Sequence, residues 1–185
     1  MVTIVDPKLT YEDLRKMPDD GKRYELIDGE VFMAPAPRTR HQLTVGNTYF
    51  ALRSFVEEHG LGQVFLAPTD VVFSEQTAVQ PDLLFIRKDR ASIVTELNVQ
   101  GAPDLAIEVL SPGNAAFDRE TKLQVYARAG VPELWYVDPE TRTVEVLELG
   151  ADGRYVLVSR LAATDSLTST ALPGLSLPVA SLFPA

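Results

Sequence analysis

The 185-residue chain has no cysteine, which excludes disulfides and cysteine-ligated zinc and leads us to expect a reducing, cytoplasmic setting. Histidine is scarce: His41 and His59 are too few nitrogen ligands for a usual structural zinc. A metal would have to be held by carboxylates, which favours magnesium, manganese or calcium. No apolar run reaches the roughly 18 residues of a membrane span, so no membrane association is expected. Residues 1–7 lack the charged start and apolar stretch of a signal peptide. Internal repeats and low-complexity tracts are also missing. Basic charge is in deficit: 17 Lys and Arg against 26 Asp and Glu leave a net charge of −9. That balance disfavours unspecific binding to nucleic acid, which depends on neutralising phosphates. Local basic clusters remain at Arg38 with Arg40 and His41, at Arg87 with Lys88 and Arg90, and at Arg119 with Lys122. Each also reads as solvated surface charge.

What is present fits an ordinary globular protein, with 45% hydrophobic and 23% charged residues, and the length suits a single domain over 1–185. Thr10 followed by Glu12 and Asp13 predicts a capped short helix over 10–16. Asp28-Gly29 between the alternating runs 23–27 and 30–34 predicts a hairpin, and Asp19, Pro35 and Pro37 fall at breaks. A capping-box pattern at Thr39 and Gln42 precedes Val45, Tyr49, Leu52 and Val56 at helical spacing, with Gly60 as the stop, so a helix is expected over 41–59. Strands are expected over 62–66, 70–73 and 81–86, a polar loop over 74–80, and a charged connection with a helical turn over 87–101. Beyond the strand 104–110, Asn114 is placed to cap a helix that Gly130 stops; a strand 134–137 and a hairpin 143–149/155–161 follow. The apolar, proline-rich tail is expected to pack as an extended segment. The strand–helix–strand unit over 105–137 can form a right-handed crossover with parallel strands, while the remaining strands look antiparallel. The fold class is therefore α/β (α+β): a mixed sheet flanked by helices, with added N-terminal and C-terminal hairpins.

Residues 105–110 form an apolar run broken by one charge, Glu108. In a strand buried on both faces a carboxylate needs a partner, a proton or a cation. Alternation puts Asp104, Ala106, Glu108 and Leu110 on one face and Leu105, Ile107 and Val109 on the other. Asp82 begins a neighbouring strand and can converge with Glu108. Two such acids either share a proton or hold a hard cation, which can polarise a phosphoryl oxygen. Lys122 stands fourteen residues after Glu108 in the next helix, with Arg119 and Tyr126 at helical spacing on one face. It can reach back to orient water or stabilise phosphate charge. Each residue also has an ordinary reading: Asp82 as a turn residue, Lys122 as a surface lysine paired with Asp118 at i−4, Tyr126 as core, His41 as a helix-start residue. Glu25 points either inward or to solvent.

These residues resemble the PD-(D/E)XK nuclease superfamily and, more closely, its Uma-type family of putative restriction endonucleases. The resemblance rests on Tyr24 to Gly29, His41, Pro81-Asp82, Pro103 to Ser111, Asp118 with Lys122 and Tyr126, and Gly130 to Asp138. It implies a restriction-endonuclease-like core over about 41–138, built on a four-stranded mixed sheet. By it, Asp82, Glu108 and Lys122 would be catalytic. Asp82, Glu108 and the backbone carbonyl of Val109 would hold Mg2+ or Mn2+, and Glu25, His41 and Tyr126 would support them. The superfamily lysine usually lies two residues after the second acid, where this chain has Leu110; Lys122 would take its place from the helix. The expected activity is metal-dependent hydrolysis of nucleic acid, DNA in the first instance, by a homodimer or higher homo-oligomer. One alternative is a catalytically inactive binding or assembly protein on the same fold, with an exposed apolar C-terminal segment for contacts. Another is a hydrolase of some other phosphate compound.

Overall fold

The computed structural model describes residues 8–18, 20–34 and 36–184. The expectations placed on residues 1–7, Asp19 and Pro35 lie outside these. Helix α1 (Tyr11–Arg15) carries the full capping box: the Thr10 side chain accepts from the Asp13 N–H, and the Asp13 carboxylate from the Thr10 N–H. Strands β1 (Arg23–Ile27) and β2 (Glu30–Ala34) form the Asp28-Gly29 hairpin, with positive φ at both turn residues. Helix α2 (Thr39–His59) buries His41, Thr44, Val45, Thr48, Leu52 and Val56, a stripe at helical spacing, and Gly60 ends it in the left-handed conformation. The capping box expected at Thr39 is not formed. Thr39 is already helical, and the cap position falls to Arg38, which makes no side-chain cap bond.

Strands β3 (Gly62–Leu66), β4 (Val71–Ser74), β5 (Thr77–Val79), β6 (Leu83–Arg87), β7 (Val99–Gln100) and β8 (Leu105–Val109) follow, with a 3-10 turn at Lys88–Ile93. The expected polar loop over 74–80 contains β5, whose three residues are buried between β1 and β4. Tertiary pairing outweighs local polarity there. Helix α3 (residues 115–129) has α-helical ends, Ala115–Phe117 and Leu123–Ala129, around a π-helical stretch, Asp118–Lys122. Asn114 precedes it but makes no side-chain cap bond. Then come β9 (Glu133–Asp138), β10 (Thr143–Leu149), β11 (Tyr155–Leu161), β12 (Ser166–Leu167) and β13 (Leu177–Pro178).

Among the described residues the strands form a six-stranded sheet ordered β11-β10-β9-β8-β6-β3, a five-stranded sheet ordered β2-β1-β5-β4-β7, and the small β12–β13 pair. The α+β class with mixed sheets and flanking helices is as expected. The sequence reading, however, put all strands in one sheet, whereas the N-terminal hairpin seeds a second. The C-terminal hairpin extends the main sheet to six strands, beyond the four the resemblance implies. β8 and β9 run parallel through the α3 crossover, and the short β4–β7 pairing is parallel too, where antiparallel strands were expected. One face of the six-stranded sheet packs Leu83, Phe85, Leu105, Ile107 and Trp135 against α2 and the C-terminal tail. The other packs Leu84, Ala106, Leu134 and Tyr136 against α3 and the five-stranded sheet. The tail turns its apolar side chains inward: Leu172, Leu175, Val179, Leu182 and Phe183 are all buried. Among the described residues it therefore offers no exposed apolar segment for assembly, which corrects that expectation.

Candidate active site

The register of the main sheet creates the site. Leu83 on β6 pairs with Ile107 on β8. One step further the alternation sets Asp82, just ahead of its strand, beside Glu108. The Val109 N–H donates to Asp82 Oδ2 (2.9 Å), and His41 Nε2 at the start of α2 hydrogen-bonds the same oxygen (3.1 Å). The Val109 amide and His41 thus hold the Asp82 carboxylate in place from two elements.

Glu108 is 3% exposed and faces α3. Lys122 Nζ lies 2.6 Å from Glu108 Oε1 and 3.0 Å from Glu25 Oε1, and the Tyr126 hydroxyl donates to Glu108 Oε1. Glu25 points inward from β1, and its Oε1 also accepts from the Gln80 N–H at 2.7 Å. Lys122 therefore links the two sheets, and it does not pair with Asp118 as the i−4 spacing suggested. Both residues are buried on the π-helical stretch, where Lys122 is taken up by Glu108 and Glu25. Arg119, expected on the same face as Lys122 and Tyr126, instead pairs with Glu145 and lies over the Tyr136 ring.

Glu25, Asp82, Glu108, Asp118, Lys122 and His41 line one cavity of about 40 Å³, and the Val109 residue borders it. Arg23 also lines it, and Arg38 and Arg40 are exposed nearby at the start of α2. Burial pushes the Glu108 carboxyl well above the usual range, with the Lys122 ammonium opposing the shift. Burial alone would lower Lys122, but Glu108, Glu25 and Asp118 outweigh it and hold the ammonium above the ordinary lysine range. Burial, reinforced by Glu108, raises the Tyr126 phenol, which stays a neutral donor. Asp118 is pushed up to about 6, chiefly by burial, and its Oδ1 is buried without a hydrogen-bond partner.

All six residues singled out by side chain meet here: Asp82, Glu108, Lys122, Glu25, His41 and Tyr126. Three contributors had been underrated. Asp118 carries part of the resemblance and has the i−4 position to pair with Lys122, but the sequence assigns it no role of its own. Gln80 lay in the expected loop. Tyr136, whose hydroxyl donates to the Asp118 carbonyl at 2.8 Å, falls in the expected strand 134–137 with no role assigned. Its register partner on β8 is Glu108, so strand pairing was the signal that could have found it.

No three His, Cys, Asp or Glu among the described residues are arranged to hold a metal ion by themselves. The donors nonetheless fit a hard divalent cation of the kind that takes one or two carboxylates and completes its shell with water and substrate phosphate. They are oxygens, four carboxylates surround one ammonium, and Asp118 Oδ1 lacks a partner. Among the described residues no helix is long and apolar enough to cross a membrane.

The fold is shared with a crystal structure of a putative nuclease belonging to DUF820 from Anabaena variabilis, at a TM-score of 0.77 and 21% identity, over 95% of this chain and 97% of that one. Curated proteins offer no match. The Uma2 family model, described as putative restriction endonuclease, matches residues 11–180, which takes in every residue of the cavity, and the chain belongs to that family.

Proposed function

We propose that the chain hydrolyses phosphodiester bonds in nucleic acid, with DNA as substrate, using Mg2+ or Mn2+. The observation that carries this reading is the convergence of Asp82, Glu108 and Lys122, from three separate elements, on one cavity that also holds an unpartnered oxygen of Asp118. Asp82, Glu108 and the Val109 carbonyl would hold the ion. When bound, it supplies Lewis-acid polarisation of the phosphoryl oxygen and a lowered water pKa. The chain's own residues do the rest. The Val109 N–H and His41 fix Asp82; Tyr126 and Lys122 fix Glu108. Lys122 Nζ, kept charged by Glu25 and Glu108, donates to a phosphate oxygen as negative charge develops there. Asp118 ionises close enough to neutrality to take, at Oδ1, the proton that the attacking water gives up. Arg23, Arg38 and Arg40 give a negatively charged protein a local cationic approach. A homodimer, in a cytoplasmic setting, would place two such sites in one particle; sedimentation of the purified protein tests that state.

Incubation of wild type and Glu108→Gln with supercoiled, single-stranded and branched DNA, with Mg2+ or Mn2+, tests the activity. Wild type is expected to cut at least one of them, and the variant to lose at least about 100-fold while melting normally. Absence of cutting together with absence of ion binding by calorimetry would leave a binding protein on this fold as the surviving reading.

A further inference from the structure

We propose that a second cavity, which shares Gln80 with the catalytic one, receives the nucleobase beside the scissile phosphate, so that the protein acts on unpaired strands. This rests on the nuclease reading above.

Access is the first argument. Glu25, Asp82, Glu108, Asp118 and Lys122 are each more than nine-tenths buried, and their cavity of about 40 Å³ admits little more than an ion, a water or a phosphate oxygen. A phosphate must be fed into it while its base goes elsewhere. A base stacked inside a duplex cannot follow without leaving the stack.

Space is the second. A cavity of about 300 Å³ shares Gln80 with the catalytic one, and Gln80 stands two residues before Asp82. Two residues of chain span at most about 7 Å, a short step for a base hanging from its own backbone.

Chemistry is the third. Phe65, Pro68 and Leu97 offer apolar surface to the faces of a base, and Asp70, Gln80 and Asn98 offer polar atoms to its edge. These polar groups are pre-set. Gln80 Nε2 donates to Asp70 Oδ1 (2.8 Å), the Tyr11 hydroxyl to Asp70 Oδ2 (2.8 Å), and Asn98 Nδ2 to the Tyr11 oxygen (3.3 Å). With its amide nitrogen committed to Asp70, Gln80 is left with Oε1, which is buried and has no hydrogen-bond partner. A ring or exocyclic N–H on the Watson–Crick edge of an unpaired base would satisfy that acceptor.

The test uses 5′-labelled single strands of DNA and RNA, the same DNA strand annealed to its complement, and a series in which one abasic nucleotide is walked along the strand. Wild type with Mg2+ or Mn2+ is expected to cut single strands at least 10-fold faster than duplex. At one position flanking the cut, the abasic nucleotide should lower kcat/KM by about 10-fold or more, in keeping with alanine losses for base–aromatic stacking. Phe65→Ala should reproduce that loss on the intact strand and show no further loss on the abasic one. Leu97→Asp, at an exposed position, provides the same comparison should Phe65→Ala fold poorly. The DNA and RNA arms identify which kind of strand supplies the base. Equal cutting of duplex, or indifference to every abasic position, would overturn the proposal and leave the catalytic reading intact. If nothing is cut, anisotropy on the same strands without divalent ion decides: binding weakened by the abasic nucleotide upholds the base pocket and rejects catalysis, and binding that is absent or indifferent overturns both.

Discussion

Lys122 is one ammonium set against two buried carboxylates at hydrogen-bond distance, with a third, Asp118, raising its pKa from nearby. Such a cluster is costly to bury and is a weak source of stability. Asp118 makes this measurable. Its folded pKa of about 6 lies above the roughly 3.9 of an unfolded aspartate. The folded state therefore holds the proton more tightly. The resulting stability is fully present below about pH 4 and is lost as pH rises through about 6. Asp118→Asn should consequently stabilise the metal-free protein at pH 8 by up to about 3 kcal/mol, with the difference closing below pH 4. Urea denaturation at a series of pH values reads this directly. Equal gaps at both ends of the range would show that Asp118 is not penalised by burial. A gain in stability with a loss of cutting would mark it as a residue kept for chemistry at the expense of stability.

Two elements carry distinct burdens. In α3 the π-helical stretch Asp118–Lys122 sets the phase between the Asp118 and Lys122 side chains. Glu120 is exposed, and deleting it would close the wide turn to α-helical spacing and displace the Asp118 and Lys122 side chains relative to each other. The deleted protein should keep its far-ultraviolet circular dichroism and lose at least about 100-fold in cutting rate. Retention of activity would show that the phase is unimportant. In β9 the fully buried Glu133 serves a different end. It accepts from Trp135 Nε1 (2.6 Å), from the Thr170 hydroxyl (2.7 Å) and from the Ala171 N–H (2.7 Å), tying the C-terminal tail to the sheet. Glu133→Ala leaves those donors unpaired and is expected to cost about 3 kcal/mol or more. Trp135 is the single tryptophan, so its emission should shift to the red, and limited proteolysis should reach the tail sooner.

Across the whole molecule, a net charge of −9 coexists with a candidate site that Arg23 lines, with Arg38 and Arg40 exposed at the start of α2 beside it. Arg40 is only loosely engaged, pairing with exposed Glu140 at 3.3 Å. If these three arginines make the phosphate contacts, single-strand affinity should fall with salt at a logarithmic slope of about −2, since each contact contributes roughly 0.7. A slope steeper than about −4 would require a cationic surface elsewhere. Anisotropy titrations between 50 and 200 mM salt, about the range over which counterion release is pronounced, measure it.

The sequence by itself determined the elements and the candidate acids, because these follow from local rules. Alternation marked Glu108 as an inward charge on a buried strand. Asp28-Gly29 set the hairpin, Gly60 and Gly130 ended helices, and the spacing of Val45, Leu52 and Val56 gave α2 its buried stripe. Only the tertiary structure decided where the strands went and what Lys122 touches. β5 is three residues long and too polar in its surroundings to signal a strand, yet pairing on both sides buries it, carries Gln80 to the site and builds the sheet that brings Glu25 inward. The pairing of Lys122 with Glu25 spans 97 positions of sequence, and its pairing with Glu108 joins a helix to a strand of the sheet beneath it. Neither leaves a trace in local periodicity, because both are set by how two sheets and a helix pack around charges that have no other partner.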